Sequence, residues 1–230
     1  MKKYNYLNIS INIPDRYFHK NLTDRFKKNT YEKEEINFIN KYFKSNDYIL
    51  ELGSCLGIVS ILLAKKCEYV ISIEANPELK ESLLLTKKEN NLTNIDFLNG
   101  YLDLEKKNIE YQTYDNIVAG SGDREDKNIN NVRGWGDTLK IYNIETILLQ
   151  DIKNINKINS LVIDIEGGEL KFLENYKNFI SLQIKKICIE LHGHLMKDNK
   201  NFDKKCIELI NKMGFKLIEK NGVSYYFEKI

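Results

Sequence analysis

Carboxylates set at the ends of apolar runs are the residues of this chain best placed to do chemistry. The stretch "ILELGSCLG", Ile49 to Gly57, puts Glu51 inside a strand-like run and follows it with a turn made of Gly53, Ser54, Cys55, Leu56 and Gly57. A strand that leads through glycines into a helix brings backbone N–H groups and the positive helix end close to a ligand. The dinucleotide fingerprint is Gly-x-Gly-x-x-Gly, and Cys55 stands where its middle glycine would admit a pyrophosphate. Glu51 would repel a pyrophosphate, but it attracts the ammonium of an amino-acid moiety, directly or through water. A second run ends "VISIEANP" and places Glu74, followed by Ala75, 23 residues after Glu51. A carboxylate there accepts hydrogen bonds from both hydroxyls of a ribose.

An ammonium-facing acid, a glycine turn and a ribose-facing acid together predict a site for S-adenosylmethionine (SAM), formed by Glu51, Gly53, Ser54, Cys55, Gly57, Glu74 and Ala75. Asn99 and Gly100, which close a third run, are expected at the same edge, either flanking the adenine or forming an ordinary turn. Farther on, "LVIDIEGGEL" sets Asp164 and Glu166 at alternate positions of an otherwise buried strand, so they share a face, and Glu169 falls in the first turn of the next helix. "CIELHGH" does the same with Glu190 and His192. Ligands of open α/β sheets bind at the carboxyl ends of the strands, so these groups are expected beside the methyl donor. Asp164, Glu166 and His192 are the candidate bases for taking a proton from an acceptor. Alternatively, Glu166 and Glu169 neutralise the helix dipole and His192 is a packing residue. Hard oxygen ligands suit magnesium, and the sequence leaves open whether a metal binds.

The elements that must position these residues alternate. "TYEKEEINFINKYFK", Thr30 to Lys44, gathers Ile36, Phe38, Ile39, Tyr42 and Phe43 near one helical face. Strand-like "YILEL", helical "IVSILLAKK", strand-like "YVISIEA", helical "ELKESLLLTKKEN" and strand-like "NIDFLNG" follow. The alternation resumes at "SLVIDIEGG" and "KKICIELHG", each followed by a helical pattern. Such alternation implies crossovers and a parallel sheet. The chain closes with "FKLIEK", Asn221-Gly222 and "VSYYFEK", a strong hairpin signal. The expectation is therefore a doubly wound α/β domain: a mostly parallel, seven-stranded, Rossmann-like sheet closed by a C-terminal antiparallel hairpin, the class I methyltransferase form. Residues 1–230 read as one domain, with a helical lead-in over about 1–45 and an insertion over about 101–140. In that insertion, Trp135 beside Arg133 can stack on a sugar ring or simply anchor the segment by its buried area.

Composition excludes several classes. Lys and Arg number 35 against 33 Asp and Glu, a formal net charge of +2 with no basic block, so no nucleic-acid partner is expected. No apolar stretch approaches the roughly 20 residues of a membrane span, and the N-terminus lacks a signal-peptide pattern. Cys55, Cys67, Cys188 and Cys206 show no Cys-x-x-Cys spacing, which fits a reducing cytoplasm without disulfides.

The sequence resembles the FkbM family of SAM-dependent methyltransferases in Tyr31-Glu32, "ILELGSCLG", "IEANPEL", "VIDIEGGEL" and "IELHGH", over roughly Tyr31 to His194. It departs at Cys55-Leu56, where that family's loop carries a small residue and an asparagine. The resemblance implies O-methylation of a hydroxyl, often on a sugar or a glycosylated small molecule; Tyr31 and Glu32, and from the insertion Arg133 and Trp135, are the residues expected toward the acceptor. Two other readings are an NAD-type oxidoreductase, which would need a tighter glycine loop and a substrate domain, and an inactive scaffold of methyltransferase fold, which would lack the acids at the strand ends.

Overall fold

A strand covered on both faces reads as a continuous apolar run, and five such runs form the centre of the molecule in the computed structural model, which describes residues 1–113, 120–121, 140–196 and 199–230. In chain order the elements are β1 (Lys2–Tyr6), β2 (Ile9–Ile13), α1 (Lys20–Lys27), α2 (Lys33–Tyr42), β3 (Tyr48–Leu52), α3 (Ile58–Lys66), β4 (Tyr69–Glu74), α4 (Lys80–Glu89) and β5 (Ile95–Asn99). There follow β6 (Tyr101–Asp103), β7 (Asn108–Thr113), β8 (Gly120–Ser121), β9 (Lys140–Leu148), β10 (Ser160–Ile163), α5 (Glu169–Asn175), α6 (Lys177–Gln183), β11 (Lys186–Glu190), α7 (Asn199–Lys212), β12 (Phe215–Asn221) and β13 (Ser224–Lys229).

The main sheet has seven strands in the order β12-β13-β11-β10-β3-β4-β5. Neighbours from β11 through β5 pair in parallel. β13 runs antiparallel to both β11 and β12, which is the expected closing hairpin. One face carries Leu50, Leu52, Ile71, Ile73, Leu161 and Ile163 against α5, α6 and α7 through Phe172, Leu173, Ile180, Phe202 and Ile210. The other carries Ile49, Val70, Val162 and Cys188 against Phe38, Ile39, Val59 and Leu63 of α2 and α3. Glu51 alternates with Leu50 and Leu52, so it points to the α2–α3 side of the sheet.

Two regions differ from expectation. The lead-in, expected to be helical, begins with an antiparallel hairpin of β1 and β2. Ile9, Ile11 and Ile13 of that hairpin join Tyr17, Phe26 and Tyr31 in a cluster that covers Ile58 and Ile61 of α3 and Leu83 of α4. This cover explains why α3 is apolar nearly all round. The described part of the 101–140 insertion belongs, with β9, to a second sheet of order β6-β9-β7-β8. The four cysteines are free.

Glu78, in the turn before α4, ties these peripheral parts together. It accepts hydrogen bonds from Arg16 (2.5 Å), Tyr17 (2.6 Å), Lys140 (2.8 Å) and Tyr142. Burial alone would raise its pKa, but these four donors outweigh burial and hold it near 2, against an ordinary 4.5. A depressed carboxylate stabilises the fold above its unfolded pKa and loses that effect as pH falls through the folded value. Solvent screening of this partly exposed group reduces the stabilisation to about 1–2 kcal/mol, present above about pH 5 and lost toward pH 2. Urea unfolding at several pH values is expected to show Glu78→Gln less stable than wild type at pH 6, with the gap closing as pH approaches 2.

Candidate active site

The site grows from the bend that ends β3. Gly53 takes φ +88°, and a Cβ on it would lie 1.7 Å from the Asp164 carbonyl oxygen, so only glycine lets the loop pass the end of β10. The N–H groups of Gly53 and Ser54 donate to the Ile73 carbonyl of β4 at 2.9 and 3.3 Å. Cys55 is itself left-handed, at φ +48°, and its N–H donates to Glu74 Oε2 at 2.7 Å. The Asn76 N–H donates to Glu74 Oε1 at 2.7 Å. Glu74 therefore fastens the glycine loop to the end of β4. Burial pushes its pKa up to about 7 in spite of those donors.

Beside this loop lies a cleft, partly open to solvent. Gly53, Cys55, Glu74, Ala75 and Gly100 line it, as do Glu32, Asp164 and Glu166. A smaller cavity behind the loop is lined by Tyr31, Glu32, Glu35, Glu51, Ser54 and Asp164. The structure thus brings most of the predicted residues together, but in two compartments. Glu51 faces the smaller cavity, is 1 % exposed, and has no hydrogen bond of ordinary length on either carboxylate oxygen. Ser54 Oγ is likewise buried without a partner. Burial raises the Glu51 pKa to about 7. Tyr31 is packed in the core beneath Arg25, with its hydroxyl 3.5 Å from Cys55 Sγ.

Three of the described predicted positions, Gly57, Asn99 and His192, line neither cavity. Gly57 starts α3 at φ +77°, where a Cβ would come within 2.8 Å of Leu83 Cδ2, so it serves helix packing. Asn99 turns its amide to the Glu74 and Asn76 carbonyls, at 2.8 and 3.2 Å, and braces the end of β4. Arg133 and Trp135 lie outside the described residues.

Asp164 and Glu166 were expected at alternate positions of one strand, but β10 ends at Ile163 and Glu166 is left-handed, at φ +52°. Both still reach the cleft, because the bend at Glu166 and Gly167 carries the chain along its rim into α5. His192 follows β11 and is 3 % exposed. Its Nδ1 lies 2.8 Å from Glu169 Oε1, and its Nε2 lies 3.4 Å from Glu190, 3.6 Å from Asp164 and 3.9 Å from Glu166. Burial would strip the imidazole of its proton, but Glu169, Glu190 and Asp164 outweigh burial and raise its pKa to about 12. Conversely, burial and then Glu190 push the Asp164 pKa well above the ordinary value, although His192 pulls it down. Glu190 is held below its ordinary value, because His192 overcomes the effect of burial. Glu32, at the start of α2, is raised to about 7 by burial and then by Glu190, and Glu35, in its first turn, to about 8 by burial and then by Glu32 and Glu190.

Sequence reading missed several contributors. Glu169 is wholly buried; it accepts from the Gly167 N–H at 3.0 Å as well as binding His192, so it does more than offset a helix dipole. Lys171, Phe172, Asn175 and Tyr176 also line the cleft. Their spacing of three and four along α5 was the available signal. Tyr101 and Tyr111 come from the second sheet, and Tyr111 in particular sits in a polar stretch that carried no such signal.

The sheet order, the closing hairpin and the cleft at the carboxyl ends of β3, β4 and β10 define a class I methyltransferase-type α/β fold. The chain belongs to the methyltransferase FkbM domain family, whose model matches residues 51–217. A crystal structure of an FkbM methyltransferase from Methylobacillus flagellatus KT is similar, with TM-score 0.54 and 13% identity, covering 93% of this chain and 56% of that one. TYW2 of M. jannaschii, solved in complex with AdoMet, has TM-score 0.50 and 13% identity over 99% of this chain and 86% of that one. Among curated proteins, a 23S rRNA (uracil(1939)-C(5))-methyltransferase RlmD of Legionella pneumophila (strain Corby) is 32% identical over 77 residues. That match covers 33% of this chain and only 17% of the relative. The expectation of no nucleic-acid partner thus stands beside a relative named for rRNA. Among the described residues no helix is long and apolar enough to cross a membrane.

The two glycines of the loop should respond differently to substitution. Gly53→Ala forces a Cβ into backbone and is expected to cost about 3 kcal/mol or more. Gly57→Ala meets side chains only, the end of Leu83 at 2.8 Å and the Phe97 ring at 3.4 Å, and is expected to cost about 1–2 kcal/mol, the scale of a left-handed alanine. Denaturant unfolding of the two variants measures the difference, and equal losses would contradict the close approach at Gly53.

Proposed function

We propose that this protein is a SAM-dependent O-methyltransferase acting on a hydroxyl of a sugar or glycosylated small molecule. The observation that carries the reading is one cleft that holds both the Glu74 clasp on the glycine loop and, across from it, Asp164 and Glu166. The residues present fit SAM: a loop cradle that a Cβ would fill at Gly53, an orphaned Ser54 hydroxyl, and carboxylates suited to a cationic ligand. Glu74 and Ala75 would hold the ribose, Gly100, Leu102 and Phe172 the adenine, and Gly53 and Cys55 the amino-acid end. When bound, SAM supplies an activated methyl on a positively charged sulfur.

This chain's own residues orient the acceptor and take its proton. A sugar hydroxyl is a poor nucleophile at neutral pH and needs a base in place as the new bond forms. His192 already carries its proton among four carboxylates, which leaves the carboxylates to receive another. Asp164 is assigned as the proton acceptor, since a buried carboxylate of raised pKa is the stronger base. Glu32 and Glu166 complete the acidic wall. Such a wall repels a phosphate-rich strand, which favours a small uncharged or cationic acceptor over RNA. The same acids, together with family membership, speak against the oxidoreductase and inactive-scaffold readings.

Thermal unfolding is expected to show stabilisation by SAM or its demethylated product and none by NAD. Glu74→Ala should weaken SAM binding by about 1–3 kcal/mol, the scale for losing hydrogen bonds to a charged group. Asp164→Asn should lower turnover by roughly 100-fold to 10,000-fold with little change in SAM affinity. Labelled SAM offered with glycosylated small molecules and, separately, with rRNA identifies the acceptor class. Label in RNA alone would overturn the acceptor assignment.

A further inference from the structure

We propose that Asp164, Glu190 and His192 bind a divalent cation, magnesium or manganese, beside Asp164, the one of the three that lines both the cleft and the acidic cavity behind the glycine loop. One donor atom from each residue lies within 4.8 Å of those of the other two. A cation with ligands at about 2.0–2.2 Å draws such atoms to within about 4.2 Å of one another, a small adjustment. The imidazole is already aimed: its Nε2 faces Glu190 at 3.4 Å and Asp164 at 3.6 Å, and Glu169 holds Nδ1 from behind at 2.8 Å; the cation takes the place of the Nε2 proton, which is released to solvent, so binding strengthens as pH rises. A carboxylate on the far nitrogen is the usual way a metal-binding histidine has its tautomer and orientation set.

Glu51 provides a second and independent observation. It is 1 % exposed, neither oxygen has a hydrogen bond of ordinary length, only the neighbouring Ser60 and Ser72 hydroxyls moderate its charge, and it faces a cavity that it shares with Glu32, Glu35 and Asp164. Asp164 Oδ1 is also shut off from solvent, with no hydrogen-bond donor and only the His192 ring, at 3.6 Å, beside it. Buried carboxylates in that condition call for positive charge. Glu32, Glu35 and Glu190 form a second close group on the same side. A donor set of several carboxylate oxygens and one imidazole suits magnesium or manganese better than soft metals. Binding of the cation does not depend on methyl transfer, whereas its use does rest on the reading above. In that use the cation would acidify the acceptor hydroxyl, Asp164 would serve as a ligand in place of the proton-accepting role it has without metal, and Glu166, on the cleft wall, would receive the proton.

Manganese titrated into chelator-treated protein and followed by electron paramagnetic resonance tests the site without any turnover. The expected result is one manganese ion bound per chain at submillimolar concentration and displaced by magnesium. Glu190→Gln, His192→Gln and Asp164→Asn should each weaken binding at least tenfold, while Glu219→Gln, on the outer edge strand, should not change it. Circular dichroism checks the folding of each variant, and the wild-type titration decides the matter even if a variant fails to fold. No uptake by wild type, or uptake indifferent to the three substitutions, would overturn the site. Manganese expelled by SAM would also overturn it, since the cavity would then seat the cofactor's ammonium. SAM titrated into the chelated protein keeps the two readings apart: manganese binding without SAM binding would bring down the methyltransferase reading alone.

Discussion

Parallel strands end on one edge, and in this protein that geometry forces carboxylates together. β3, β4 and β11 carry Glu51, Glu74 and Glu190, β10 leads directly into Asp164, and the start of α2 adds Glu32 and Glu35. Like charges in a poorly hydrated space cannot all ionise. Burial therefore lifts Glu32, Glu35, Glu51 and Glu74 to about 7 or 8, and His192 is the imidazolium that Glu190 and Asp164 surround. An arrangement so rich in acid is stabilised by positive charge, whether protons, a sulfonium, an ammonium or a metal ion. The preference for cationic ligands thus follows from strand direction and residue type before any ligand is considered.

The rest of the molecule is arranged to hold that edge still. Apolar layers on both faces of the main sheet fix the strand ends relative to one another. The contact between Gly53 and the Asp164 backbone then sets the glycine loop directly against the acidic end of β10. The N-terminal hairpin covers α3, the helix that this loop enters, and Glu78 links the lead-in to the second sheet above the cleft. Asn76 joins the two systems: its N–H binds Glu74, and its side chain donates to the Tyr17 hydroxyl at 3.0 Å, which in turn donates to Glu78. Packing, loop conformation and peripheral hydrogen bonds all converge on the position of Glu74.

Much of this was legible in the sequence, and the exceptions have physical reasons. Doubly covered strands announce themselves as apolar runs, so the main sheet and its closing hairpin were readable. β7 and β9 bury only some of their residues and look polar, and β1 and β2 begin a segment whose tyrosines gave no clear period. Glu51, Glu74, Asp164 and His192 were found because charge within apolar sequence is conspicuous. Division of the site into two cavities was not legible, because it depends on which face of β3 Glu51 takes relative to a loop folded by tertiary contacts. Gly53 and Gly57 look equivalent on paper, yet one faces backbone and the other a leucine side chain. Glu169 was read as a helix-dipole residue because its partner, His192, is 23 residues away in sequence.

A structure of the protein with the demethylated product of SAM tests the central claim most directly. The account predicts the ribose hydroxyls on Glu74, the adenine between Gly100 and Phe172, and the sulfur opening toward Asp164 and Glu166. A nucleoside bound elsewhere, or a sulfur turned away from those carboxylates, would contradict it.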